Sequence, residues 1–149
     1  MSKVNIDSSQ PIPLNDHLCF SLYATSRSIQ KLYHDGLKKH GLTYPQYLVL
    51  VALYQYEEVT VKRLGELLSL DSGTLTPLLK RMENDGLVIR QRSKADERVV
   101  DIHLTEAGKK KRESVNKLPE ILIQKSNFTQ EEWSTMEQLS KKMFENINS

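Results

Sequence analysis

A mainly α chain with one small β-hairpin is what this sequence predicts, and three stretches carry the prediction. In the first, Leu75, Leu78, Leu79 and Met82 recur at i, i+3, i+4 and i+7, one face of an amphipathic helix over 70–86. Gly73, Thr76, Pro77, Lys80, Arg81 and Asn84 fall on the other side, with Asp71 or Ser72 as the cap and Gly86 as the stop. In the second, Thr60 caps a short helix over 61–69 carrying Leu64, Leu67 and Leu68, and only Leu70 and Asp71 separate the two helices. In the third, two β-prone runs, 87–92 and 99–104, flank a charged tip of Ser93, Lys94, Ala95, Asp96, Glu97 and Arg98. Leu87 and Ile89 are expected on one face, and Val100, Ile102 and Leu104 on one face of the other strand. Helix, helix, hairpin in that order is a winged helix-turn-helix with the tip as its wing. A helix with hydroxyls, two cations and an amide on its free face suits a DNA major groove; the plainer reading of such a face is solvation.

Taken in order, residues 1–13 are polar, contain Pro11 and Pro13, and read as a flexible lead-in. A long helix is expected from Leu14 to about Lys39, capped by Asn15 or Asp16 and stopped by Gly41. A second follows Thr43, with Pro45 in its first turn and apolar residues nearly all round, so it should be buried. After the hairpin, Thr105 caps a helix that runs into Lys109-Lys110-Lys111-Arg112, either a solvated face or a phosphate contact outside the groove. Pro119 should bend or break this helix near its middle. Thr129 and Glu132 form a capping box for a last helix striped by Trp133, Met136, Leu139, Met143 and Ile147. The divisions expected are 1–13, a flexible N-terminus; 14–59, N-terminal helices; 60–104, the DNA-binding lobe; and 105–149, C-terminal helices. The first helix and the last two carry stripes with no partner in the winged unit, so N- and C-terminal helices are expected to form a dimerisation region. Two-fold symmetry would set two 70–86 helices about one DNA turn apart on a near-palindromic site.

Length and composition bound the class. With 149 residues, 38% apolar and 27% charged, the chain suits a single globular domain with a genuine core. The net charge of +2 does not argue for nucleic acid, and within 60–104 eight cations meet seven anions. DNA affinity must therefore come from where the cations sit. No run approaches ~18 apolar residues and the N-terminus lacks the blocks of a signal peptide, so a cytoplasmic location is expected and no membrane partner. One cysteine excludes an intrachain disulfide and a multi-cysteine metal site. His17, His34, His40 and His103 have no metal-ligand spacing, and no Ser/His/Asp set or Gly-rich phosphate loop suggests an enzyme or a cofactor.

Cys19 lies in His17-Leu18-Cys19-Phe20-Ser21-Leu22-Tyr23, either an inert core residue or, given donors nearby and access for an oxidant, a reactive one. Tyr23, Tyr33, Tyr44 and Tyr47 are the candidate donors, or core filling. Together with Thr43-Tyr44-Pro45-Gln46-Tyr47, the run from Leu70 through Arg81, Asp96-Glu97-Arg98 and Leu104-Thr105-Glu106-Ala107-Gly108, this segment resembles the MarR family. More narrowly it is similar to the organic hydroperoxide-sensing repressors and their staphylococcal redox-regulator relatives, from about Leu14 to Val115. The resemblance implies a homodimeric winged-helix repressor whose Cys19 is oxidised by organic hydroperoxide. It also implies that two tyrosine hydroxyls, Tyr33 and Tyr44 by the match, hydrogen-bond the thiolate across the dimer interface. With no second cysteine, the sulfenic acid should form a mixed disulfide with a small cytosolic thiol or overoxidise. On DNA, Ser72, Thr74, Thr76 and Lys80 are assigned to the major groove, Arg81 nearer the phosphates, and Arg98 to an A·T-rich minor groove, braced by Asp96. The competing expectation keeps the fold and releases DNA by a small phenolic or apolar ligand, with Cys19 only a core residue.

Overall fold

The computed structural model describes Val4, residues 9–93, Asp96 and residues 98–149. Residues 1–3 and 5–8 of the expected lead-in, and Lys94, Ala95 and Glu97 of the expected hairpin tip, lie outside the described residues. The order of elements is α1 (Leu18–Lys39), α2 (Tyr44–Tyr56), β1 (Glu58–Thr60), α3 (Val61–Leu68), α4 (Ser72–Asn84), β2 (Val88–Arg92), β3 (Val100–Leu104), α5 (Glu106–Ser114), α6 (Leu118–Ser126) and α7 (Gln130–Ile147). This is the winged helix-turn-helix the sequence predicts, with three strands in place of two. Among the described residues no helix is long and apolar enough to cross a membrane.

Local chemistry sets most boundaries. Asp71 accepts from Thr74 N–H at 2.9 Å, Thr60 from Arg63 N–H at 3.0 Å and Thr105 from Gly108 N–H at 2.9 Å, each satisfying a first-turn donor. Thr43 with Gln46, and Thr129 with Glu132, close full capping boxes. At the far end of α4, Gly86 adopts φ +70° while Leu87 N–H reaches the Met82 carbonyl at 2.9 Å, a Schellman stop sealed by two buried apolar side chains.

That stop corrects one expectation. Leu87 is buried as part of the helix cap, so the strand's alternation starts at Val88: Val88 is 2% exposed and Ile89 44%. Leu87 and Ile89 do not share a face. Val100, Ile102 and Leu104 do line one face of β3, as expected. A second correction concerns α1, which begins at Leu18 rather than Leu14. Residues Leu14–Asp16 form a separate 3₁₀ turn, His17 is extended at φ −77°, ψ 111°, and neither Asn15 nor Asp16 caps the long helix. The His17 ring pins this bend, its Nε2 lying 3.0 Å from the Ile12 carbonyl. The break expected at Pro119 falls just ahead of it, between Ser114 and Leu118, leaving the proline in the first turn of α6.

The antiparallel sheet runs β1-β3-β2, with Val88 opposite Leu104, Arg92 opposite Val100 and Glu58 opposite His103. One apolar core joins α2, buried along most of its length, to Leu64, the Leu75-Leu78-Leu79-Met82 face of α4, the sheet, and the far end of α1 at Tyr33 and Leu37. It ends at Val115 and Leu118. α7 buries no residue at all.

Candidate nucleic-acid and redox sites

Ser72, Thr74, Thr76, Lys80 and Arg81 all lie on α4 and all are exposed, opposite the face that enters the core. Thr74 is partly committed. Its hydroxyl donates to Asp71 at 3.0 Å, leaving only its acceptor capacity free. The Thr74 N–H and then its hydroxyl hold the Asp71 carboxyl below the usual carboxylate range. Lys80 and Arg81 have no ion-pair partner among the described residues. The α4 helix is tied down at its C-terminal half, where Glu83 meets Arg90 of β2 at 3.7 Å and the Gly86 carbonyl accepts the Thr105 hydroxyl at 2.6 Å.

At the wing, Arg98 is 90% exposed at its side chain and forks onto Asp96, with Nε and Nη2 each 3.1 Å from a carboxylate oxygen. This guanidinium, with the Arg98 N–H second, holds the Asp96 carboxyl below its ordinary range. The pair therefore orients a cation toward solvent at the hairpin end.

Cys19 sits in the first turn of α1, exposed and free, where unpaired helix N–H groups favour negative charge. Its Sγ lies 3.8 Å from His17 Nδ1. Tyr33 and Tyr44 are elsewhere. Fourteen residues of helix separate Cys19 from Tyr33, about 21 Å at the α-helical rise, so one chain cannot bring them together. Tyr33, Tyr44 and Tyr47 instead form a triangle of rings with centroids 6.0–6.1 Å apart. Burial first, then the Tyr47 and Tyr44 neighbours, push the Tyr33 hydroxyl up to about 12; burial also raises Tyr44. Both hydroxyls therefore stay protonated, as donors, at any physiological pH.

The basic run of α5 is neither an even solvated face nor a bank of free cations. Lys109 pairs with Glu106 at 2.9 Å and Lys111 donates to the His40 carbonyl at 3.0 Å. Arg112 turns inward between the rings of Tyr47 and Tyr54, 5.9 and 5.7 Å from their centroids. The sequence reading missed Arg112, hidden in a charge run, and His17, whose only signal was its place two residues before the cysteine.

Apolar surface is concentrated at the chain's two ends. Leu14, Leu18, Ile121, Ile123, Phe128, Met136, Leu139, Phe144 and Ile147 are exposed. A groove of about 920 Å³ runs between α1 and the α6–α7 pair, floored by Ile29, Leu32, Leu122, Trp133 and Met136.

Comparison with known proteins gives this geometry its context. A family model described as transcriptional regulator SarA/Rot matches residues 31–115. The organic hydroperoxide resistance transcriptional regulator of Bacillus subtilis is 52% identical over 110 residues, 74% of this chain and 75% of that protein. Among solved structures, reduced AbfR of Staphylococcus epidermidis bound to DNA superposes with a TM-score of 0.75 at 36% identity, covering 91% of this chain and 92% of that one; the overoxidised form has also been solved bound to DNA. A MarR variant of E. coli complexed with operator DNA gives 0.75 at 29% identity, over 85% and 92% of the two chains. The chain belongs to the MarR family of winged-helix, DNA-binding transcriptional regulators, in the branch of the organic hydroperoxide resistance regulator and its staphylococcal relatives.

Proposed function

We propose that two copies of this chain form a repressor that holds operator DNA until an organic hydroperoxide oxidises Cys19. The observation that carries this reading is the separation of parts in one chain. A solvent-exposed thiol lies about 21 Å along α1 from Tyr33, a buried donor, and bare apolar faces lie on the same helix and on α6 and α7. A second copy covering those faces brings the Cys19 of one chain to Tyr33 and Tyr44 of the other. It makes a dimerisation region of 14–59 and 105–149, and leaves 60–104 as the DNA-binding lobe. Ser72, Thr74, Thr76 and Lys80 then read the major groove, Arg81 meets phosphates, and Arg98, braced by Asp96, enters a narrow A·T-rich minor groove.

The chemistry balances without a cofactor. The Cys19 thiolate attacks the outer peroxide oxygen, an S–O bond forms as the O–O bond breaks, and the alkoxide leaves as alcohol after taking a proton. The sulfenic acid then condenses with a small cytosolic thiol, giving a mixed disulfide and water. An adduct of that bulk between two chains parts the sulfur from its tyrosine donors and shifts one reading head against the other. Each head must match its half-site, so base and phosphate contacts fail together. The test is a gel shift on the cognate promoter before and after cumene hydroperoxide plus thiol, with intact mass. The parent protein should leave DNA with the mass of one adduct per chain, and Cys19→Ser should stay bound. Release of Cys19→Ser by a phenolic compound alone would replace this reading with that of a small-ligand repressor.

A further inference from the structure

His17 and Cys19 form a pair with the geometry of a base and its nucleophile. The Ile12 carbonyl can only accept, so the 3.0 Å contact places a proton on His17 Nε2. In the neutral ring Nδ1 is thereby left with its lone pair, and it is this nitrogen that faces Sγ at 3.8 Å. The arrangement is thiol, imidazole, orienting acceptor, the order in which activated nucleophiles are built. The ring has little freedom to leave. The His17 backbone caps α1, its carbonyl accepting Ser21 N–H at 3.1 Å, while the far side of the ring is held by Ile12. The only other titratable side chain of the preceding 3₁₀ turn is Asp16. In the dimer proposed above, Tyr33 and Tyr44 of the second copy face the same sulfur.

We infer that His17 is a catalytic residue of peroxide sensing, taking the Cys19 proton and returning it to the departing alkoxide. This rests on the redox reading of Cys19 and adds a role that the tyrosines cannot fill, since protonated phenols donate but do not accept the thiol proton. The step runs in one cycle. Sγ–H passes its proton to Nδ1, giving thiolate and imidazolium. The thiolate takes the outer oxygen of the hydroperoxide, the O–O bond breaks, and the RO⁻ released takes the proton from Nδ1–H. The transferred oxygen keeps its own hydrogen, so the sulfur ends as sulfenic acid, the alkoxide leaves as alcohol, and the imidazole ends neutral as it began. No further oxidant or reductant enters.

The experiment follows Cys19 oxidation by cumene hydroperoxide in the full-length protein across pH, comparing the parent with His17→Gln, which keeps polar bulk but has no basic nitrogen. The parent should react about tenfold or more faster at neutral pH. The parent's rate should pass through a maximum with pH, since it needs a proton acceptor and then its conjugate acid, whereas the variant's should only rise. His17→Ala supplies a second arm, because imidazole added to solution should restore part of its rate, which a merely structural loss would not permit. Operator affinity of the reduced form at fixed salt should be the same in all three proteins, since His17 belongs to neither α4 nor the wing. Equal rates and superimposable profiles in parent and His17→Gln, or no imidazole rescue of His17→Ala, overturn the assignment while leaving Cys19 as the sensor. A parent whose Cys19 is not oxidised at all removes the redox reading, and this inference with it.

Discussion

In the proposed dimer Tyr33 donates to a sulfur, which requires that it keep its proton, and its surroundings favour keeping it. Its ring is buried against Tyr44 and Tyr47, and its hydroxyl is pushed up to about 12, chiefly by burial. In the unfolded chain the same group titrates near about 10. Between those values the folded protein binds the proton more tightly than the unfolded one, so stability falls as pH rises through the interval and is fully present below it. Tyr33→Phe has no such proton. Urea unfolding midpoints followed from about pH 9 to about pH 12 should fall more steeply for the parent than for Tyr33→Phe, the lysines titrating alike in both. Parallel curves would mean that the Tyr33 hydroxyl is no more protected than a free phenol. Tyr47 of this cluster, with Tyr54, also faces the Arg112 guanidinium, whose Nη1 donates to Asn116 Oδ1 while its Nε is buried without a hydrogen-bond partner among the described residues; the two tyrosine faces help offset that cost.

Between elements, one close joint lies where α5 passes the Leu87 backbone, in the turn between α4 and β2. A Cβ at Gly108 would stand 2.1 Å from the Leu87 carbonyl oxygen and 3.2 Å from Leu104 Cδ2. The first of these is backbone and cannot rotate away. Helix propensity alone favours alanine over glycine by about 1 kcal/mol, but the clash should override it, costing about 1–3 kcal/mol net and loosening the Thr105 contact to Gly86 that ends α4. Gly108→Ala measured by urea unfolding should therefore be destabilised; a stabilised variant would show that α5 and the Leu87 turn do not approach this closely. Much at this scale was legible beforehand. The α4 face was written in Leu75, Leu78, Leu79 and Met82, and its cap in Asp71, because helix periodicity and caps are local properties. What was not legible depended on packing. Strand β1 is three residues long and exists only because β3 lies beside it. The phase of Val88 and Ile89 was misread because the Schellman stop consumes Leu87. The start of α1 was misplaced because His17 reaches back to Ile12. Cys19 was singled out by the family resemblance of its surroundings, while the ring that faces it needed coordinates.

For the whole molecule, the decisive quantity is what a reading head is worth alone. The core of one chain closes without α7, which carries Leu139 at 57% exposure and Phe144 and Ile147 also bare. A charge placed at Leu139 should therefore leave the chain folded, since its side chain packs against little in its own copy. In the proposed dimer the same charge would be buried without a partner, at a cost of about 3–5 kcal/mol by analogy with broken buried pairs. Two such sites, related by the two-fold axis, should dissociate the assembly. The consequence for DNA follows from linkage: two half-site contacts held on one scaffold act at high effective concentration, and separating them costs about 10²–10⁴-fold in affinity. Leu139→Glu should thus sediment as a monomer with unchanged far-ultraviolet circular dichroism, and should lose operator affinity by a factor of that order without any change on α4 or the wing. A Leu139→Glu protein that remains dimeric and binds its operator as the parent does would place the interface somewhere other than the α7 stripe. The path from Cys19 to the DNA would then have to run through a different pairing of chains.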